Sequence, residues 1–173
     1  MDPVVSSRGM NRWRRVAWPL IVLGDVGLLL WGAMAALAPE YLLGPNSKPI
    51  LAAEYESFTG SSWAALTSSQ VSFITLVFRM YGIYIVAFSL LAITVTATAF
   101  RRGQSWAWWA LLVGNTIAYP SAMGYDLTVK AIGPFEATEY VALAAIYVGL
   151  AVTAPFLQSR RAQALRPLKT DFG

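Results

Sequence analysis

The chain contains no cysteine and no histidine. Without cysteine there is no disulfide framework, no thiolate metal site and no redox dithiol. Without histidine the usual axial haem ligand, the commonest zinc or copper ligand and the commonest general base are all missing. No cofactor or metal is therefore expected, and any chemistry would have to run on carboxylates, Arg, Lys, Tyr, Ser and Thr. Charge is also scarce. Only 13% of the 173 residues are charged, against about 25% in a soluble domain. What fills the gap is apolar: 57% of the residues, with a mean hydropathy of +0.52. That balance excludes a disordered chain and points to an integral membrane protein.

Four stretches are long and apolar enough to cross about 30 Å of hydrocarbon as helices of about 20 residues. They run over 16–38, 71–100, 105–127 and 135–157. Lipid admits only helices or closed barrels, and these runs are continuous rather than alternating. The expected fold is all-α, a single four-helix transmembrane bundle without internal repeat or second domain. Span two exceeds a bilayer's need, so it should tilt or project.

The positions of the basic residues set a direction. Arg8, Arg12, Arg14 and Arg15 precede span one; Arg101 and Arg102 join spans two and three; Arg160, Arg161, Arg166 and Lys169 follow span four. Ten of the 13 basic residues thus share one side, which the positive-inside rule makes cytoplasmic for both termini. The net charge of +4 is then a topology signal with anionic lipid headgroups as partners, and nucleic acid is not needed to explain it. Span one resembles a signal peptide in its basic start and its Ala36-Leu37-Ala38. Its apolar run is longer than the usual 7–15 residues and Pro39 follows directly, so an uncleaved helix is expected. Trp13, Trp18, Trp106, Trp108 and Trp109 fall near the predicted cytoplasmic interface, as an aromatic belt would.

One connection is long. Residues 39–70 form an external loop carrying Gly44-Pro45-Asn46, Lys48-Pro49 and Gly60-Ser61-Ser62, and loops of this length are often functional. Pro49 to Phe58, with Glu54 and Glu56, is expected to lie along the membrane surface. Ser61-Ser62 is expected to cap a short helix at Trp63 leading into span two.

Ionisable groups inside a bilayer are costly, and each is a functional hypothesis by default. At 1.5 Å per residue, Asp25 and Asn115 lie about 14–15 Å from the cytoplasmic edge and Arg79 about 12 Å from the external edge. Three polar residues on three helices thus fall near one depth, with Asp25 and Arg79 the obvious ion pair and Asn115 beside them. On span three, Tyr119 and Asp126 continue the face of Asn115 at helical spacing. On span four, Glu136, Glu139 or Tyr140, Leu143 and Tyr147 do the same, with Thr75 one turn outside Arg79. The candidate ligand-binding set is Asp25, Arg79, Asn115, Tyr119, Asp126 and Glu139, a polar wall opening outward and covered by the long loop. A plainer reading makes Asp25–Arg79 a packing device and Glu136 and Glu139 helix-terminus charges after Gly133-Pro134. Pro120 should kink span three beside Asn115, and Gly24, Gly27 and Gly32 should be close-packing sites.

No phosphate loop, nucleophile elbow, zinc signature or dinucleotide motif occurs. The turn Arg101-Arg102-Gly103-Gln104-Ser105-Trp106-Ala107-Trp108-Trp109 resembles one found in small bacterial four-helix membrane proteins, DoxX-like or uncharacterised. The resemblance implies a helical bundle in a bacterial cytoplasmic membrane and carries over no active site. Three functions are open from the sequence. The first is a non-catalytic membrane subunit or scaffold that packs against other membrane proteins or itself. The second is a binder or carrier of a small amphiphile, a lipid or quinone, in an externally open pocket around Arg79. The third is a cofactor-free membrane enzyme using carboxylates as proton donors.

Overall fold

The computed structural model describes residues 7–130 and 133–164, with side chains described over 16–130, at 133 and over 137–154. The side chains of Arg8, Arg12, Trp13, Arg14, Arg15, Glu136, Arg160 and Arg161, and the whole of Arg166 and Lys169, lie outside that set. Among the described residues the regular structure is helical, apart from one isolated bridge between Leu43 and Pro49. Five α-helices follow in order: α1 (Ser7–Leu37), α2 (Ile50–Thr59), α3 (Ser68–Val95), α4 (Ser105–Val129) and α5 (Pro134–Ala164). A π-helical turn, Thr96–Phe100, prolongs α3.

Three helical segments are long and apolar enough to cross a membrane: Val16–Leu37, Ser68–Phe100 and Ala137–Ala154. Helix α4 is long enough, at 25 residues, or about 37 Å. Its Asn115, Pro120, Asp126 and interspersed Trp and Tyr leave it short of the same apolar standard. Much of the apolar surface faces outward, including Leu23, Leu30, Leu37, Phe73, Leu76, Leu91 and Val141. So much exposed apolar surface is compatible with a hydrocarbon surround.

Close approaches fix how the long helices run. Gly32 of α1 meets Ile85 and Gly82 of α3. Gly24 of α1 meets Ile146 and Ala142 of α5, while Gly149 meets Ile21 and Ala17. Trp108 of α4 donates from Nε1 to the Leu150 carbonyl at 2.8 Å, and Thr116 pairs with the Tyr147 hydroxyl at 2.9 Å. Each pair is antiparallel. Helix α1 is therefore central, held between α3 and α5, with α4 leaning on α5. The start of α1, the Arg101-Arg102 turn and the end of α5 consequently share one end of the molecule. There the Arg101 guanidinium lies 5.2 Å above the Trp18 ring.

The tightest seam is α1 on α3. A Cβ on Gly82 would stand 2.5 Å from the Ala36 nitrogen and 2.8 Å from the Gly32 oxygen, so the two backbones touch. Gly27, by contrast, has nothing within 4 Å of its Cβ position and is no packing site, contrary to its expected role. Pro120 sits inside α4, which is helical on both sides of it. Exposed hydroxyls bond back to their own helix, as Thr94 does to Leu90 and, on the face of α4 toward α3, Ser121 to Ile117 and Thr128 to Gly124. That device keeps a hydroxyl satisfied where no water reaches.

The expected external loop is largely ordered. Leu42 and Ile50 are buried with Ala35 and Phe78 in a second apolar cluster, distinct from the main core around Ile21, Leu111, Ile146 and Leu150. The Ile50 amide donates to the Leu42 carbonyl at 2.8 Å. Helix α2 ends on Gly60 in the left-handed region, φ 68°, a conformation glycine adopts without cost. Ser62 accepts from the Ala64 amide to start the short turn Trp63–Ala65, as its sequence leads one to expect. Thr67 and Gln70 then close a reciprocal capping box on α3. Across the loop, Lys48 and Glu56 pair at 2.7 Å, and Glu56 also accepts from the Trp63 amide. The Lys48 hydrogen bond first, then the Trp63 amide, holds the Glu56 carboxyl below its ordinary pKa of 4.5.

Candidate functional site

Antiparallel packing separates the expected ion pair. From Asp25 to the end of α1 at Leu37 is about 18 Å along the helix axis, and Arg79 lies at that far end. Its guanidinium stands 3.8 Å from Glu40, and both side chains are about half exposed. The pairing of Asp25 with Arg79 is thus corrected. Counting Arg79 inward from Val71 put it at mid-span, but α3 is longer than a bilayer is thick and its register on α1 is set by the Gly32–Gly82 contact.

Asp25 instead lies in the main core. It is fully buried, and neither carboxylate oxygen has a hydrogen-bond partner in the protein. The same register that seats Gly32 on Ile85 places Ala92 of α3 level with Asp25, with Ser89 about one turn nearer the outer end. The α1–α5 and α4–α5 contacts bring Asn115 and Tyr119 to that level as well. Ser89, Asn115 and Tyr119 are all 0–2% exposed. Asn115 spends its Nδ2 on the Leu111 carbonyl at 2.8 Å. Its Oδ1, the Ser89 Oγ and the Tyr119 hydroxyl have no partner in the protein. Asp25 is within electrostatic reach of the Tyr119 hydroxyl. Three of the six candidate residues therefore share one buried layer.

The other two lie nearer the outer end. Asp126 is within electrostatic reach of Tyr81 and Tyr125, and Glu139 of Tyr81 and Tyr119. Between these two levels a laterally open cleft of about 900 Å³ lies between α3 and α4, with α2 at one end and Leu28 of α1 and Glu139 of α5 also lining it. Its walls are aromatic and aliphatic: Phe58, Phe73, Phe78, Phe88, Tyr81, Tyr84, Ile85 and Ile117 among them. Tyr119 forms part of its deep end. Glu54, Tyr125, Thr128 and Glu139 supply polar groups toward the outer end. Among the described residues no Lys or Arg lines it, so Arg79 is not its centre.

Helix α2 roofs this cavity. The Tyr125 hydroxyl donates to Glu54 at 2.9 Å, and the Ser57 hydroxyl donates to the Lys130 carbonyl at 3.2 Å. Glu54 is buried although it sits in a loop helix. It was not among the candidate residues. The available signal was spacing: Ile50, Ala53 and Glu54 stand at i, i+3 and i+4 on one face, so a helix that buries Ile50 also buries Glu54. Tyr81 and Ser89 were missed for a different reason, since nothing marks one Tyr or Ser among many before the helix register is known.

Chemically, the arrangement offers an apolar chamber large enough for a small molecule, acidic and hydrogen-bonding groups at one end, and a phenol at the other. Among the described residues no group of three His, Cys, Asp or Glu is placed to hold a metal ion. No protein-family model, curated protein or solved structure matches the chain.

Proposed function

We propose that the chain is a four-span integral membrane protein that binds or carries a small amphiphile in the cavity beneath α2. In this reading α4 is the fourth span, tolerated despite its polar residues because they face α5 and the cavity. Both termini lie on the cytoplasmic side of a bacterial membrane, the location that the resemblance of the Arg101–Trp109 turn suggests. The observation that carries the function is the cavity of about 900 Å³, walled mainly by aromatic and aliphatic side chains, with its carboxylates, Glu54 and Glu139, toward the outer end. An apolar body fits the aromatic walls. A headgroup fits Glu54, Tyr125 and Glu139. A carboxylate-bearing mouth without a lining cation disfavours an anionic head, because like charges brought together in a poorly hydrated site repel strongly. The preferred ligand is therefore neutral or cationic, with hydrogen-bond donors on its head. A scaffold that only packs against other proteins needs no such chamber, which is why this reading is preferred to that one.

The test is a titration of the purified full chain in nanodiscs with a fluorescent long-chain amine and, separately, a fluorescent fatty acid. Saturable binding of the amine, weaker binding of the acid, and loss of both in Ala122→Trp would support the reading, since Ala122 lines the chamber. Equal, non-saturable partitioning of both probes in the wild type and in Ala122→Trp would refute it.

A further inference from the structure

The cleft is covered at one end and open along its side. At the covered end α2 is tied down twice, by Tyr125 donating to Glu54 at 2.9 Å and by Ser57 donating to the Lys130 carbonyl at 3.2 Å. Ile50 adds to this by burying itself with Leu42 and Phe78. The side is different. Tyr84 of α3 is 68% exposed and Ile117 of α4 is 65% exposed, yet both line the cleft. Val77 and Ser121 repeat that combination on the same two helices. Residues that line a space and are exposed at once mark its mouth, so the mouth lies between α3 and α4.

Helix α1 sets the depth of this mouth. Trp18 lies under Arg101 at one end, and α1 stops at Leu37 at the other. That distance is about 28 Å along the axis, close to the thickness of a hydrocarbon core. Leu28, the residue of α1 that lines the cleft, stands about midway. From there the cleft runs toward α2, so it opens into one leaflet, the one on the α2 side. A ligand arriving from water past α2 must break two hydrogen bonds and displace Ile50 from its cluster. A ligand arriving from the bilayer between α3 and α4 need do neither.

We propose that the ligand is a two-chain membrane lipid that enters the cleft sideways from the leaflet on the α2 side, one acyl chain passing between α3 and α4 toward Tyr119 and the other remaining in the bilayer. The proposal rests on the amphiphile reading and supplies its ligand class and its route. An open side decides the class. A volume of about 900 Å³ is that of a pocket for a small ligand, but a cleft without a side wall has to hold only one of the two chains. The head then meets the end lined by Glu54 and Glu139, which suits an ammonium or a neutral hydroxyl better than an anion.

The experiment places the full chain in nanodiscs doped with a two-chain lipid that carries an ammonium head and a photoactivatable group in one acyl chain. Labelled residues are mapped by peptide mass spectrometry. Leu23 and Leu30, exposed on α1, report contact with bulk lipid; Phe88 and Tyr119 report the inside of the cleft. Labelling of Phe88 and Tyr119 should saturate with probe fraction and fall when the same lipid without the photoactivatable group is added. Labelling of Leu23 and Leu30 should rise in proportion to the probe. Ala122→Trp should abolish the saturable part, and the competition arm keeps the test decisive if that variant does not fold. If the single-chain fluorescent amine binds saturably while the two-chain lipid never labels Phe88 and Tyr119 saturably, sideways loading is overturned and the amphiphile reading survives. If neither probe saturates, both fall. Ready disulfide dimerisation of Ile117→Cys, in a chain otherwise free of cysteine, would put a second copy at the mouth and overturn the lipid.

Discussion

Replacing Gly82 by alanine probes the seam on which the rest of the geometry depends. The new methyl carbon would stand 2.5 Å from the Ala36 nitrogen, 2.8 Å from the Gly32 oxygen and 2.9 Å from the Ala35 carbonyl carbon. All three are backbone atoms, so no side-chain rotation relieves the clash. Ordinary carbon–nitrogen contact is near 3.5–4 Å, so α1 and α3 must part by about 1 Å. Overpacking of this kind costs about 1–3 kcal/mol, or about 2–12 °C in melting midpoint for a chain of this size. Gly27→Ala is the matched control. It adds the same methyl group on α1 where nothing lies within 4 Å, and alanine there should stabilise the helix by about 0.5–1 kcal/mol. Thermal unfolding in detergent, followed by circular dichroism, reads both. Opposite signs are expected. Equal midpoints for the two variants would refute the backbone-to-backbone contact, and with it the register that separates Asp25 from Arg79.

Three further outcomes follow. Arg79→Met should cost no more than about 1 kcal/mol, because its partner Glu40 is about half exposed and surface pairs are weak. The cost should be the same within about 0.5 kcal/mol when Asp25 is also changed to Asn, and a coupling of about 3 kcal/mol in that double-mutant cycle would restore the discarded ion pair. Tyr125→Phe removes the Tyr125–Glu54 hydrogen bond, one of two that tie α2 to α4 and its C-terminal end; faster amide exchange confined to residues 50–59 is expected, and unchanged protection would show that this bond does not hold α2. Because Glu56 has its carboxyl pKa lowered by Lys48 and the Trp63 amide, the charged form is favoured in the folded loop. That contribution is complete above pH 4.5 and fades as pH falls through the lowered value. Limited proteolysis between Glu56 and Leu66 should quicken on acidification in the wild type and be already fast in Glu56→Gln. A pH-independent cleavage rate would argue against the Lys48–Glu56 clasp.

Long apolar runs are one-dimensional signals, and they were legible as such. The helical character of α1, α3 and α5 and the short capped turn at Ser62 follow from composition and local spacing. Depth along a helix was harder, because it needs a zero point. Asp25 and Asn115 were legible at one depth because each could be counted from a short basic end. Arg79 was misplaced because Ser68–Phe100 is 33 residues long, about 50 Å, well over the hydrocarbon thickness, and nothing local says which 20 of them are at mid-depth. The Gly32–Gly82 contact says so, but only once two helices are seen together. The cavity was invisible for the same reason. It is made by what α3 and α4 do not touch, and a gap has no residues of its own. Glu54 was legible in principle from its i+4 spacing to Ile50, had the loop been treated as a helix with a buried side.

Native mass spectrometry of the gently extracted chain addresses the cavity most directly. The wild type should carry an additional small-molecule mass that is stripped on activation, and Ala122→Trp, which fills the chamber from its wall, should fly without it at the same folded charge states. A wild type that flies bare, or an adduct retained equally by Ala122→Trp, would contradict the amphiphile site.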